Sequence, residues 1–97
     1  MPDQTAEEAA HEYSQAVIAG DIGTSLRKMT SDAFGQMMDI GNDTWDFAGY
    51  EIEDAGLEGA THVFNVIYRS REGDLRLRQR YQQIDGVWLL VDLDRID

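Results

Sequence analysis

Three runs rich in β-branched, aromatic and aliphatic residues fill the C-terminal half of this chain: Ala60 to Arg69, Leu75 to Ile84 and Val87 to Ile96. The links between them are very short. Arg71-Glu72-Gly73-Asp74 separates the first pair and Asp85-Gly86 the second, and glycine supplies the positive φ that such reversals need. Connections this short join antiparallel neighbours, so the half reads as a meander. Amphipathic helical segments precede it. Helices followed by a sheet predict an α+β sandwich with the helices at about 5–40, the sheet at about 48–96 and one domain over residues 1–97.

The helical half carries its own punctuation. Thr5 and Glu8 have the spacing of a capping box, in which the hydroxyl accepts a first-turn N–H and the carboxylate reaches back to the cap. From there Ala9, Ala10, Tyr13, Ala16, Val17 and Gly20 recur at three- and four-residue steps and form one apolar stripe, with Glu7, Glu8, Glu12 and Gln15 on the wet side. Gly20-Asp21 ends that helix, and Asp21 is placed to cap a short second one through Leu26 and Met29. Thr30-Ser31-Asp32 offers a third start, followed by Phe34, Met37 and Met38, and Gly41-Asn42-Asp43 is the stop. Asp39 to Gly49 reads as an ordered loop that folds Trp45 and Phe47 over the core. Tyr50 and Ile52 alternate with Glu51 and Glu53 as a half-buried strand, and Gly56 and Gly59 bracket a turn.

Period-two alternation assigns faces to the strands. Leu75, Leu77, Gln79, Tyr81 and Gln83 face the helices while Arg76, Arg78 and Arg80 face away, and His62, Phe64, Val66 and Tyr68 oppose Val63, Asn65 and Ile67. In the last run Trp88, Leu90 and Asp92 point inward and Val87, Leu89, Val91 and Leu93 outward. The outer face therefore keeps an aliphatic row. Contiguous exposed aliphatics mark interfaces, so the face predicts a homodimer through Val63, Ile67, Arg76, Arg78, Arg80, Leu89, Val91 and Leu93, with the arginines meeting Glu51 and Glu53 across or within it.

Charge narrows the partners. The 97 residues include 19 acidic and 8 basic side chains, a formal charge of −11, and such a surface repels phosphates and anionic membranes. Neither nucleic acid nor membrane is an expected partner. A salt-rich habitat or a GC-rich genome accounts for this acidity, and so does a decoy that imitates nucleic acid and blocks an enzyme acting on it. With no cysteine, thiol chemistry and disulfides are excluded. No apolar run approaches the roughly 20 residues of a membrane span and Met1-Pro2-Asp3-Gln4 lacks a basic and apolar leader, so a cytoplasmic location is expected.

Tyr13, Ala16 and Gly20-Asp21, then Leu26 and Met29, Tyr50-Glu51-Ile52, Val66-Ile67-Tyr68 and Asp85-Gly86-Val87-Trp88-Leu89-Leu90 together resemble the nuclear transport factor 2-like, or cystatin-like, superfamily. The nearest likeness is to its short bacterial members of lumazine-binding-like and SnoaL-like type. The resemblance spans nearly the whole chain and implies a curved, cone-like sheet around the helices, with a mouth able to hold a small apolar ligand. It is a likeness of architecture, and the superfamily includes ketosteroid isomerases, polyketide cyclases and non-catalytic dimeric domains. This chain is shorter than the enzymes, which implies a shallower cone.

An isomerase or cyclase needs a base in an apolar cavity and a hydroxyl to hold an enolate oxygen. The residues expected to supply these are Asp92 as base and Tyr13 or Tyr81 as donor. Ligand-pocket positions are Tyr13, Met37, Trp45, His62, Phe64, Tyr68, Gln79, Tyr81 and Trp88. His11 and His62 share no metal-binding spacing, and Asp39, Asn42 and Asp43 form a turn rather than a calcium loop, so no metal and no cofactor are expected. The leading expectation is a non-catalytic binding or assembly domain, homodimeric, with a small apolar ligand between helices and sheet. Acid–base catalysis and an acidic inhibitor of a nucleic-acid enzyme stand as alternatives.

Overall fold

The computed structural model describes residues 5–40, 47–71 and 73–96. Its elements are α1 (Ala6–Ala19), α2 (Ile22–Arg27), α3 (Ser31–Ile40), β1 (Phe47–Glu58), β2 (Thr61–Ser70), β3 (Gly73–Ile84) and β4 (Val87–Arg95). The α+β class is as expected, with helices preceding a four-stranded antiparallel sheet. Trp45 and the Gly41-Asn42-Asp43 stop lie outside the described residues.

The helix signals act as their chemistry dictates. Glu8 N–H donates to Thr5 Oγ1 at 3.1 Å while Thr5 N–H donates to Glu8 Oε1 at 2.9 Å, which closes the capping box at the start of α1. Its end is left-handed. Gly20, at φ 74°, sends its N–H to the Val17 carbonyl while Asp21 N–H reaches the Ala16 carbonyl, the double return that a glycine at this position permits. Asp21 then caps α2, accepting from Thr24 N–H at 3.2 Å and from the Thr24 hydroxyl at 2.7 Å, and these bonds hold its carboxyl below the usual range. At α3, Thr30 Oγ1 accepts from Ala33 N–H at 3.3 Å.

The strands lie in the order β1-β2-β3-β4 with every neighbouring pair antiparallel. Asp85 at φ 51° and Gly86 at φ 82° make the two-residue reversal between β3 and β4. Helix α1 lays Ala6, Ala9, Ala10 and Tyr13 on the inner face of the sheet against Phe64, Val66, Tyr68, Leu75, Leu77, Tyr81, Leu90 and Leu93. Alanines on that stripe let the helix sit close, and the tyrosines fill the depth. No helix among the described residues is long and apolar enough to cross a membrane.

Two strand expectations need correction. Gly56 does not flank a turn: β1 runs through to Glu58, and Gly56, at φ 94°, lies in a register shift between Asp54 and Gly56 inside the strand. Asp54 Oδ1 accepts from Gly56 N–H at 2.8 Å and holds the irregularity. The second correction reverses two faces. Arg80 pairs with Asp92 and Tyr81 with Leu90, so Val91 is an extra residue with no counterpart on β3. A one-residue bulge moves every later side chain to the other face. Asp92 therefore stands on the outer side, beside Arg80, and Leu93, assigned to the outer interface, is 2% exposed in the core.

The free edge of β4 is covered. Leu90 N–H donates to the Lys28 carbonyl at 2.7 Å and Thr30 N–H to the Leu90 carbonyl at 2.9 Å, so the α2–α3 connection forms a short parallel bridge at Met29. Further along, Leu93 N–H donates to Gln36 Oε1 of α3 at 3.0 Å. The N–H and carbonyl of Leu90 and the N–H of Leu93, which would otherwise help to template another strand, are thus satisfied within the chain.

Candidate functional site

The side chains expected to line a pocket between helices and sheet are instead the interior packing. Tyr13, Phe64, Tyr68, Gln79 and Tyr81 are each at most 2% exposed. Their polar atoms bond in sequence. The Tyr81 hydroxyl donates to Gln79 Oε1 at 2.9 Å, Gln79 Nε2 donates to the Tyr68 hydroxyl at 3.1 Å, and Tyr68 and Ser14 share a bond at 3.3 Å. Tyr13 turns toward α3 and donates to Met37 Sδ at 3.5 Å. Burial pushes the Tyr68 phenol up to about 12, and raises Tyr13 and Tyr81 well above their usual range. These hydroxyls stay protonated and hold structure. Among the described residues no buried side-chain nitrogen or oxygen lacks a partner.

Asp92 has no line to this network. Its Oδ2 accepts from Arg80 Nη1 at 2.6 Å and its Oδ1 from Gln36 Nε2 at 2.6 Å, so both oxygens are held on the outer side of β4. The structure does not bring Asp92 together with Tyr13 or Tyr81. His62 and Trp88 are half-buried on the inner face toward the hairpin end. His62 stacks on Phe64 with ring centroids 4.4 Å apart, and its Nε2 meets Asp54 Oδ1 at 2.9 Å, which holds the Asp54 carboxyl below the usual range.

On the outer face, strand register sets the polar groups in columns. β1 contributes Glu51, Glu53 and Glu58, β2 contributes Val63, Asn65 and Ile67, β3 contributes Arg76, Arg78 and Arg80, and β4 contributes Leu89, Asp92 and Asp94. Arg80 is surrounded, with Glu58 at 3.2 Å, Asp92 at 2.6 Å and Asp94 at 3.2 Å. Val63 is buried beneath this layer, while Ile67, Leu89 and Val91 are half-buried.

The most apolar open concavity described lies on the helical side. Ala16, Val17 and Gly20 at the end of α1, Ser25 and Leu26 of α2, and Phe34, Met37 and Met38 of α3 enclose about 350 Å³. Leu26, Phe34 and Met38 remain 40%, 39% and 46% exposed on its walls. Of the expected pocket residues that are described, only Met37 borders it. The groove lies where the end of α1, the short α2 and the β4-bound α3 meet.

Three contributors were not singled out from sequence. Ser14 falls four residues after Ala10, so the helical period places it inward and was a usable signal. Gln36 gave none, because its partners Asp92 and Leu93 are distant in sequence. His11, whose Nδ1 meets the Tyr50 hydroxyl at 2.9 Å, joins α1 to β1. No family model matches the chain, and no curated protein does.

Proposed function

We propose that this chain is a small non-catalytic binding domain of the nuclear transport factor 2-like kind, and that it seats a small apolar group in the groove between α1, α2 and α3. The observation behind the reading is a contrast in one molecule. The core's polar atoms are sealed and satisfied, yet three large apolar side chains are left in water around a concavity of about 350 Å³, the lower end of the size range of small-molecule sites. Met37 and Met38 suit a ligand without fixed shape, since unbranched thioether chains re-pack readily. The acid–base alternative has less behind it, because Asp92 is held by Arg80 and Gln36 on the other side of the sheet from the tyrosines.

Titration with the neutral apolar dye Nile red tests this. Saturable binding of one dye per chain is expected, weakened about fourfold to fifteenfold by Met38→Asp or Leu26→Asp, since a charge at the wall removes the equivalent of one or two buried methylenes. Leu57→Asp, at a side chain 76% exposed outside the groove, leaves binding unchanged. Dye binding indifferent to both groove substitutions would sink the reading.

A further inference from the structure

The two edges of the sheet are finished differently. At β4 the α2–α3 connection bonds to Leu90, whereas among the described residues no backbone bond reaches β1 except from β2. Every second residue of an edge strand turns its N–H and carbonyl away from its neighbour, so β1 presents a row of open donors and acceptors. Residues 49–54 carry that row without a register shift, which is the length of an ordinary strand. Edges are commonly closed by proline or lysine, and β1 has neither. Its charged residues are all acidic: Glu51, Glu53, Asp54 and Glu58. We propose that this edge takes an added antiparallel strand from a partner protein, an extended segment with arginine or lysine at alternate positions and β-branched or aliphatic residues between them.

The chemistry of that segment follows from the two sides of β1. On the outer side Glu51 and Glu53, with Ile52 between them and Asn65 and Ile67 on β2, bound a depression of about 460 Å³. A long basic side chain from the added strand lays its apolar stem there and its charged end against a carboxylate. Glu53 is the open acceptor, with no ion-pair partner among the described residues, while Glu51 already holds Arg69 at 2.8 Å. On the inner side Tyr50 and Ile52 are half-buried against the core, and the alternate residues of the added strand extend that apolar surface. Charge also excludes the nearest competitor. A second copy laid edge to edge would set one acidic strand beside another, and like charges on adjacent strands repel. A chain of net charge −11 draws a basic segment from a distance as well.

No residue of β1 borders the helical groove, so this edge stands or falls independently of ligand binding there. The probe is a dye-labelled peptide of about seven residues in which valine and arginine alternate, titrated into the full chain and followed by fluorescence anisotropy. Saturable binding is expected. Alternate residues of a strand point their N–H to opposite edges, so methylating the valine nitrogens blocks one edge of the peptide and methylating the arginine nitrogens blocks the other. One of these two peptides is expected to bind about thirtyfold more weakly, the loss of two ordinary hydrogen bonds, and the other within about twofold of the parent. Glu53→Arg is expected to weaken binding about tenfold, and Asp32→Arg, the same change of charge at an exposed site on α3, by less than about twofold. Circular dichroism checks that both variants are folded. In the free protein the edge-facing amides of residues 49–54 are expected to exchange with solvent quickly, and to slow about tenfold once the peptide is bound. Failure to bind, equal effects of the two methylated peptides, equal effects of Glu53→Arg and Asp32→Arg, edge amides already protected in the free chain, or edge amides that do not slow each overturns the proposal.

Discussion

Against the inner face of the sheet, Ser14, Tyr68, Gln79 and Tyr81 are closed off from water and bonded only to one another, whereas on the outer face Arg80 gathers Glu58, Asp92 and Asp94 within reach of solvent. Both sets are polar and both are satisfied. They differ in charge, and that difference decides where each can be. Hydroxyl and carboxamide groups tolerate burial once paired, while ionised groups lose several kcal/mol of solvation each and stay where water helps. The inner set is therefore fixed in one protonation state and one geometry. The outer set is open to exchange of partners, which suits a surface and not a core.

High pH should break the inner face first. Each of Tyr13, Tyr68 and Tyr81 is harder to ionise folded than unfolded, so stability is full below about pH 10 and falls as pH rises, through about 12 for Tyr68. Three such groups give a slope of about 4 kcal/mol per pH unit across that window. Tyrosinate absorbance from these three should appear only together with loss of the circular dichroism signal. An earlier rise would mean that the network is open to water.

The bulge at Val91 sharpens the comparison, because it puts neighbours on different faces. Leu93→Ala should destabilise by about 3 kcal/mol in a urea melt, as expected for a buried leucine. A change well under 1 kcal/mol would return Leu93 to the outer face. Within the network, Gln79→Leu leaves the Tyr81 hydroxyl without its acceptor and should lower stability by about 2 kcal/mol, the penalty for an orphaned buried donor. Smallest of all, Asp92→Asn keeps a hydrogen-bonding side chain beside Gln36 and weakens one ion pair near the surface. About 0.5 kcal/mol is expected, and a loss as large as that of Leu93→Ala would contradict an outer Asp92.

The sequence was most informative where chain geometry is local. Thr5 with Glu8, Gly20 with Asp21 and Asp85 with Gly86 each settle a boundary through bonds spanning a few residues, and all three hold. The fourth strand was read wrongly because Val87, Leu89, Val91 and Leu93 alternate without a break, and alternation alone carries no sign of an inserted residue. A signal was nonetheless present. The unbroken reading buries the Asp92 carboxylate and exposes Leu93, and a shift of one residue exchanges them at a large gain in solvation. The groove was not legible at all. It depends on where α3 docks, and α3 is joined to β4 by Gln36 and by the adjacent Met29 bridge, contacts about 60 residues apart in the chain.

The covered edge of β4 also orders events in time. The Lys28 carbonyl and the Thr30 N–H find their backbone partner in Leu90, and the Gln36 side chain finds its own in Asp92 and Leu93. A growing chain can form α1 and pack α2 against it early, but α3 gains its main docking surface only when β4 is available. Contacts of such long range are slow to close. The seating of α3 is therefore among the last events in the fold, and the groove that α3 helps to frame exists only once β4 has joined the sheet.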